Sequence, residues 1–538
     1  HIKIKHKKVN VKPSHIRENL TIFIDCVIED PSFNSQTKDF LGSKASDYGS
    51  SCEVSDTFIK GLIDAGLVEE VVRLAEFKEE SELKKTDGKK VASLSDIPKY
   101  ERATWAGTRK SKYCRLILTE GDSAKSFALA GLDIVGKERY GVFPLKGKPI
   151  NVREAAINSI KNNAEFTCIK KILGLKQGVK YTDVSKLRYG GIIILTDADV
   201  DGSHIKGLIL NMFHRFWPSL LKIKGFIQSM ATPIIKVFKK NDTKKNDPKI
   251  FYTIADYKHW LNEVGSDISK WSKPKYYKGL GTSTEKEAKQ CFTDFENKVI
   301  NYVWELSNDA ISSNNNDQLE DIKNDEEDDD LNDDKSVKND EEEEQDDVDI
   351  NDMNSKSYDA ITLAFEKKRA NDRKVWIGGY SKNNVIENHY GDIPISKFIN
   401  EDLIHFSVYD NIRSIPSVCD GFKPSQRKIL YASFKRKIDN EEIKVAQLGA
   451  YVAEKTDYHH GENSLYGAII GMAQNFVGSN NINLLYPSGN FGSRREGGND
   501  AASPRYIFTK LSNITRLLFR EEDEPILKKQ YEDDNEAN

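Results

Sequence analysis

Apolar residues in this chain fall into short unbroken runs set between polar turns. Ile192-Ile193-Ile194-Leu195 follows Gly190-Gly191 without alternation, the pattern of a strand buried on both faces of a parallel sheet. Residues Tyr113 to Thr119 read as a second strand, and Leu20 to Ile24 as another. Helical spacing of apolar positions runs from Phe58 to Phe77 and again from Ile361 to Trp376. After the Tyr113 strand, Glu120-Gly121-Asp122-Ser123-Ala124 makes a sharp turn at its glycine and opens a helix through Ala130. A further helix starts near Gly421, where Pro424 suits a first helical turn. No apolar run approaches membrane-spanning length.

At 538 residues the chain is too long for one core, so several domains are expected. The pattern fails in one place. Residues 307–355 are rich in Asn, Asp and Glu and lack the apolar surface to offset ordering entropy. This segment reads as a disordered acidic insert, a tolerated expansion of a surface loop. It also distorts the charge balance. Between Leu319 and Ile350 there are 18 Asp/Glu against three Lys, a local charge of -15, so a chain of net charge -4 is +11 outside that stretch. An excess of positive charge on the folded body suits a polyanionic partner. The six cysteines are scattered with no C-x-x-C pair, which argues for a reducing compartment and against structural zinc.

The chemistry concentrates where two strands end. Asp197, Asp199 and Asp201 occupy alternate positions directly after Leu195, and Gly202 closes the run. Ligand chemistry in α/β sheets sits beyond the carboxyl ends of strands. Three like charges there raise the cost of ionising one another, and a divalent cation with a preference for oxygen removes that cost. Magnesium is the first choice. An EF-hand also opens D-x-D-x-D-G, but its twelfth position needs a bidentate Glu and here holds Leu208. A solvated acidic turn is the plainest alternative. Glu120 ends the other strand, and two parallel strands each delivering acid at the tip would form one metal cradle.

Later in the chain Arg427, Lys428, Lys435 and Arg436 recur along the helix after Pro424, as in a helix-turn-helix reader of DNA. His459 and His460 are adjacent and lack an obvious third metal ligand. A glycine-rich loop with Arg494 and Arg495 leads into Ala502-Ser503-Pro504-Arg505-Tyr506-Ile507-Phe508-Thr509. A phenol is a poor nucleophile without help. A guanidinium beside it can stabilise charge on a phosphorane.

The Glu120 motif with the aspartate triplet resembles the TOPRIM magnesium domain. Pro144-Leu145-Lys146-Gly147-Lys148, Ser203-His204-Ile205 and Tyr277-Lys278-Gly279-Leu280-Gly281-Thr282 narrow the resemblance to the type IIA DNA topoisomerases, of eukaryotic single-chain type. The family usually has Arg at the position of Lys146, which keeps charge but loses bidentate phosphate geometry. The resemblance implies a multidomain α/β and α+β fold: a TOPRIM Rossmann-like parallel sheet plus a winged-helix DNA-binding domain. It places the end of an ATPase-side transducer at 1–95, TOPRIM at 96–306, the insert at 307–355, the winged-helix cleavage domain at 356–510 and the start of a tower at 511–538. An ATP-binding domain is expected before His1 and most of the tower after Asn538. It further implies Tyr506 as nucleophile, Arg505 as its helper, and Glu120, Asp197, Asp199 and Asp201 as holders of Mg2+, which Mn2+ or Ca2+ can replace in binding. Lys148, Asn151, Arg373, Lys374, Lys423 and Tyr458 match positions on the DNA backbone, and Gln36, Thr37 and Lys38 match a loop touching ATP in the full-length enzyme. The implied partners are double-stranded DNA and a second copy of the chain, with no membrane, in the nucleus. The implied activity is Mg2+-dependent, transient double-strand cleavage through a 5′-phosphotyrosine, strand passage and religation. A TOPRIM-type nuclease or primase and a non-catalytic DNA-binding module are the rivals.

Overall fold

The computed structural model describes all residues except 1–10, 12, 24, 26, 34–39, 50, 52, 88–96, 241–247, 278, 294, 306–354, 387–389, 533–534 and 537–538. The chain divides into two compact units, His1–Ile404 and His405–Asn538. No helix among the described residues is long and apolar enough to cross a membrane.

The first unit is built on a six-stranded sheet. Its strands are β1 (Arg115–Glu120), β2 (Tyr140–Leu145), β3 (Ile192–Leu195), β4 (Ile227–Met230), β5 (Val299–Val303) and β6 (Gly391–Pro394). Their spatial order is β2-β1-β3-β4-β5-β6. Pairing is parallel throughout except for antiparallel β4–β5. Every residue of β3 is buried, as its unalternating sequence predicts. Thr119 pairs with Leu195 across β1 and β3, so the two tips that carry Glu120 and Asp197 lie side by side. Helices α1 (Gly121–Val135), α2 (Val200–Phe216) and α3 (Glu285–Phe292) follow in the chain. One core cluster joins Ile117, Ile193 and Leu195 to Phe127, Phe292 and Phe295.

Four details depart from the expectations of the sequence. Residues 20–23 form no strand, and Phe23 stands 93% exposed. The Phe58–Phe77 periodicity is two helices, Asp56–Asp64 and Leu67–Lys84. They are separated at Gly66, whose φ of 86° a helix cannot accept. The Ile361–Trp376 periodicity is likewise split into α4 (Lys356–Phe365) and α5 (Ala370–Gly378), with extended Glu366 between. Residues 356–404 fall within the first unit, where β6 extends the sheet and α4 packs on α2. The sequence reading had grouped them with the winged helix.

In the second unit α6 (Pro424–Arg436), α7 (Val445–Thr456) and α8 (Glu462–Ala473) pack beside a three-stranded antiparallel sheet. Its strands are β7 (Ile443–Lys444), β8 (Leu485–Ser488) and β9 (Phe508–Leu511), in the order β7-β9-β8. Ile429, Leu448, Val452, Leu465, Ile469, Leu485 and Leu511 form the core. Three helices with a small sheet make the winged-helix arrangement expected from sequence.

Candidate active site

The carboxylates of the first unit are positioned by backbone. Gly121 takes φ +81°, which lets β1 turn directly into α1 and leaves Glu120 at the junction. The backbone N–H of Asp197 donates to Glu120 Oε2 at 3.3 Å. Asp197 Oδ1 accepts from the Leu280 N–H at 2.8 Å. Asp199 caps α2 through the Gly202 N–H at 2.7 Å. Asp201 lies in the first turn of α2 and pairs with Lys148 Nζ at 2.5 Å. The electrostatics report the crowding. Burial, then the charges of Asp199 and Asp197, push Glu120 up to about 7. Burial raises Asp197 too, with the Leu280 N–H opposing and Asp199 reinforcing the shift.

This donor set fits magnesium. Its oxygens are hard carboxylate donors, and two of the acids hold protons above their ordinary range because burial and the neighbouring carboxylate charges disfavour their ionised forms. Among the described residues no three His, Cys, Asp or Glu side chains form a ready-made cage. Magnesium needs none, because it binds through one or two carboxylates and keeps several waters.

The loop that presents the Leu280 N–H carried no assigned role in the sequence analysis. It is held by Glu287, whose Oε1 accepts from Tyr277 Oη at 2.5 Å and Lys275 Nζ at 2.7 Å. The other oxygen, Oε2, accepts from the Thr284 N–H and hydroxyl at 2.9 and 3.0 Å. These contacts hold Glu287 down at about 2 despite partial burial. Gly279 leaves room for the approach: a Cβ there would lie 2.5 Å from Asp197 Oδ2. The signal was present as a capping box, Thr284 with Glu287 three residues on.

In the second unit Tyr506 stands 77% exposed, just before β9. Its N–H donates to the Ser503 carbonyl at 2.9 Å. The loop is tied to α7 by Ala446 N–H to Pro504 O and Val445 N–H to Ile507 O, both 3.0 Å. Ile507 is buried beneath. The phenol is thus presented outward by an anchored turn. Arg505 is exposed beside it, and its charge reaches Tyr466. In the preceding loop, Ser493 N–H donates to Asp500 Oδ1 at 2.8 Å, and Arg494 and Arg495 are exposed.

The candidate DNA contacts divide. Lys374 is exposed, and Lys423 is half-buried at the start of α6. Tyr458 packs against the core, with the His460 ring 5.3 Å away. Asn151 and Arg373 are engaged within the fold. Asn151 bonds Asn211 at 3.0 Å and the Phe365 carbonyl at 3.3 Å, and Arg373 donates to the Leu363 and Glu366 carbonyls at the end of α4. The basic recurrence on α6 also serves the fold. Arg427 pairs with Asp420, and buried Lys428 donates to the Thr456 carbonyl at the end of α7. Lys435 and Arg436 lie over the rings of Tyr431 and Tyr451. His460 bonds the Tyr409 hydroxyl at 3.0 Å. Gln36, Thr37 and Lys38, and residues 307–354 of the acidic insert, lie outside the described residues.

Four family models match the chain in succession: DNA gyrase B over 1–91, the Toprim domain over 115–229, the C-terminal associated domain of TOPRIM over 230–328 and 332–411, and the A-type subunit of DNA gyrase/topoisomerase IV over 413–538. The chain is 46% identical over 534 residues to a protein named DNA topoisomerase 2 from Acanthamoeba polyphaga mimivirus, covering 98% of this chain and 42% of the relative. It is 44% identical over 530 residues to DNA topoisomerase 2 of Saccharomyces cerevisiae, covering 98% and 33%. The crystal structure of the Plasmodium falciparum topoisomerase II DNA-binding, cleavage and re-ligation domain matches with TM-score 0.62 and 46% identity, over 82% of this chain and 53% of that one. The chain therefore spans well under two thirds of each of these relatives.

Proposed function

The chain belongs to the type II DNA topoisomerases, of which it carries a core, and on that premise we propose that it cuts and reseals duplex DNA through Tyr506. The Toprim domain and these relatives imply Mg2+ dependence, and the topoisomerase II cleavage domain implies DNA binding. The observation that carries the proposal is the presentation of Tyr506: exposed, on an anchored turn, with a guanidinium beside it.

In this reading the Tyr506 phenolic oxygen attacks a backbone phosphorus. A bond forms from that oxygen to phosphorus, the bond to the 3′ oxygen breaks, and the phosphate stays linked to the 5′ end. The phenol gives up its proton and the departing 3′ oxygen gains one. Arg505 stabilises the charge that gathers on the phosphoryl oxygens. Glu120, Asp197, Asp199 and Asp201 would hold Mg2+. When bound, the ion aligns the phosphate and stabilises the leaving oxygen. Lys148, Lys374 and Lys423 draw in the backbone, while Asn151, Arg373 and Tyr458 shape the surface around it. Attack by the 3′ hydroxyl reverses the step and reseals the strand.

The activity of the whole protein is a further part of the proposal. Two chains act together to break both strands, and ATP drives a second duplex through the break. Mn2+ or Ca2+ replaces Mg2+ in binding. The free thiols of Cys114, Cys168, Cys291 and Cys419 accord with a reducing compartment, and the nucleus is the one we propose. The test is end-labelled duplex DNA with Mg2+, quenched in detergent and split by protease treatment. A protease-sensitive tag on the 5′ end that vanishes in Tyr506→Phe supports the reading. Cleavage without an adduct would make the chain a nuclease, and binding without cleavage would make it a DNA-binding module.

A further inference from the structure

The carboxylates at the strand ends are not held alike. Asp197 is held by the Leu280 N–H and Asp199 by the Gly202 N–H. Both donors are backbone groups fixed by the fold. Asp201 is paired with Lys148, a point charge on a flexible four-carbon stem. The two side chains are 36% and 20% exposed, so the pair is open to solvent and readily exchanged. Lys148 lies just beyond the tip of β2, and Asp201 in the first turn of α2. The ammonium therefore neutralises one member of a crowded acidic group, and the charge of Asp201 reaches Glu120.

We infer that the Lys148–Asp201 pair is an exchangeable latch that couples the binding of DNA to the binding of the divalent cation. A backbone phosphate that takes Lys148 removes a counter-charge from Asp201 and leaves the four acids more strongly attracting for a cation. A cation drawn to Asp201 in turn releases Lys148 to a phosphate. Linkage requires the two effects to be equal. The latch keeps the acidic group partly neutral off DNA and arms it when a duplex is seated. The inference rests on the proposed function in one respect, that these acids face the cation and Lys148 faces DNA.

The test needs no strand cleavage, so it can fail or succeed apart from the tyrosine chemistry. The 538-residue chain is titrated against a fluorescent duplex in EDTA across a range of salt. Asp201→Asn should tighten binding several-fold. It should also steepen the slope of log K against log salt by about 0.9, the increment for one added phosphate contact. In a Lys148→Met background the same change should leave the slope unaltered. Mn2+ binding, read by the loss of its free electron-spin signal, should strengthen about 5-fold or more when duplex is present. Lys148→Met, and separately Lys148→Gln, should remove most of that gain. Equal effects of Asp201→Asn with and without Lys148 would overturn the latch, because they would report general charge repulsion. An undiminished DNA-induced gain in Mn2+ binding in both Lys148 variants would overturn it as well.

Discussion

Single residues carry the chemistry proposed here, and they were the most legible part of the sequence. Tyr506 was set apart from 21 other tyrosines by its neighbours, and the structure holds it outward on an anchored turn. Arg505→Ala should slow adduct formation about 10²–10³-fold, the usual cost of removing one charge-stabilising donor. Arg505→Lys should recover only part, since a point charge lacks the planar fork. Quenched time courses of adduct yield check both. Glu120 supports a pH prediction. Its folded pKa of about 7 lies above the ordinary 4.5, so the fold holds this proton more tightly than the unfolded chain does. The contribution of Glu120 to stability is then greatest below about 4.5, declines as the pH rises towards about 7, and levels off beyond. Asp197, also raised, acts in the same sense. In thermal melts in EDTA, the stability of the unmodified chain relative to Glu120→Gln should show that decline between about pH 4.5 and 7. Added Mg2+ should stabilise the unmodified chain above pH 7 more than the Gln variant. What sequence could not disclose was engagement. Asn151 and Arg373 are matched by residue type, yet Asn151 donates to the Phe365 carbonyl and accepts from the Asn211 amide, and Arg373 donates to the Leu363 carbonyl, and only coordinates reveal that.

Elements were legible where burial dictates pattern and obscure where a single residue interrupts it. β3 was readable because both its faces are covered, and its partner β1 because it ends in the matching acid. The break at Gly66 was hidden, because the apolar spacing continues on either side. Residues Tyr277 to Thr282 are recognisable as a motif, but the function of this loop is a matter of distance. It brings the Leu280 N–H to Asp197 and is fixed by Lys275, Tyr277 and Thr284, which converge on Glu287. Gly279→Ala tests it. A methyl 2.5 Å from Asp197 Oδ2 must displace either the loop or the carboxylate. A crowded substitution of this kind costs about 1–3 kcal/mol. Mg2+ affinity by calorimetry should fall in this variant while duplex binding in EDTA stays near that of the unmodified chain, because phosphate contacts reside elsewhere. Unchanged Mg2+ affinity would separate the loop from the carboxylates.

At the scale of the whole molecule, the sequence separated an acidic segment from a basic body but did not show how the chain closes around that segment. The described residues on either side of 306–354 meet. The Glu305 N–H donates to Ser357 Oγ at 2.9 Å, and Ser355 caps α4 through the Tyr358 N–H at 3.1 Å. β5 enters this junction, α4 leaves it, and β6 then returns to pair with β5. That return was unreadable in advance, because Gly391-Asp392-Ile393-Pro394 has too few apolar residues to announce a strand. The insertion point is therefore a closed hairpin of chain, built from residues outside the segment. Loop-closure entropy changes slowly with length, by about 0.6 kcal/mol per doubling. Deleting Leu319 to Ile350 should accordingly leave the melting temperature near that of the full chain, or slightly above it. The electrostatic effect should be larger. Removing -15 from a chain that is +11 elsewhere reverses its net sign from -4 to +11, which favours association with a polyanion. Duplex affinity should rise at low salt and converge with that of the full chain as screening increases, while Mg2+-dependent adduct formation per bound chain stays unchanged. A marked loss of thermal stability would instead show that the segment packs on the body, and an unaltered low-salt affinity would show that its charge does not act on the DNA surface.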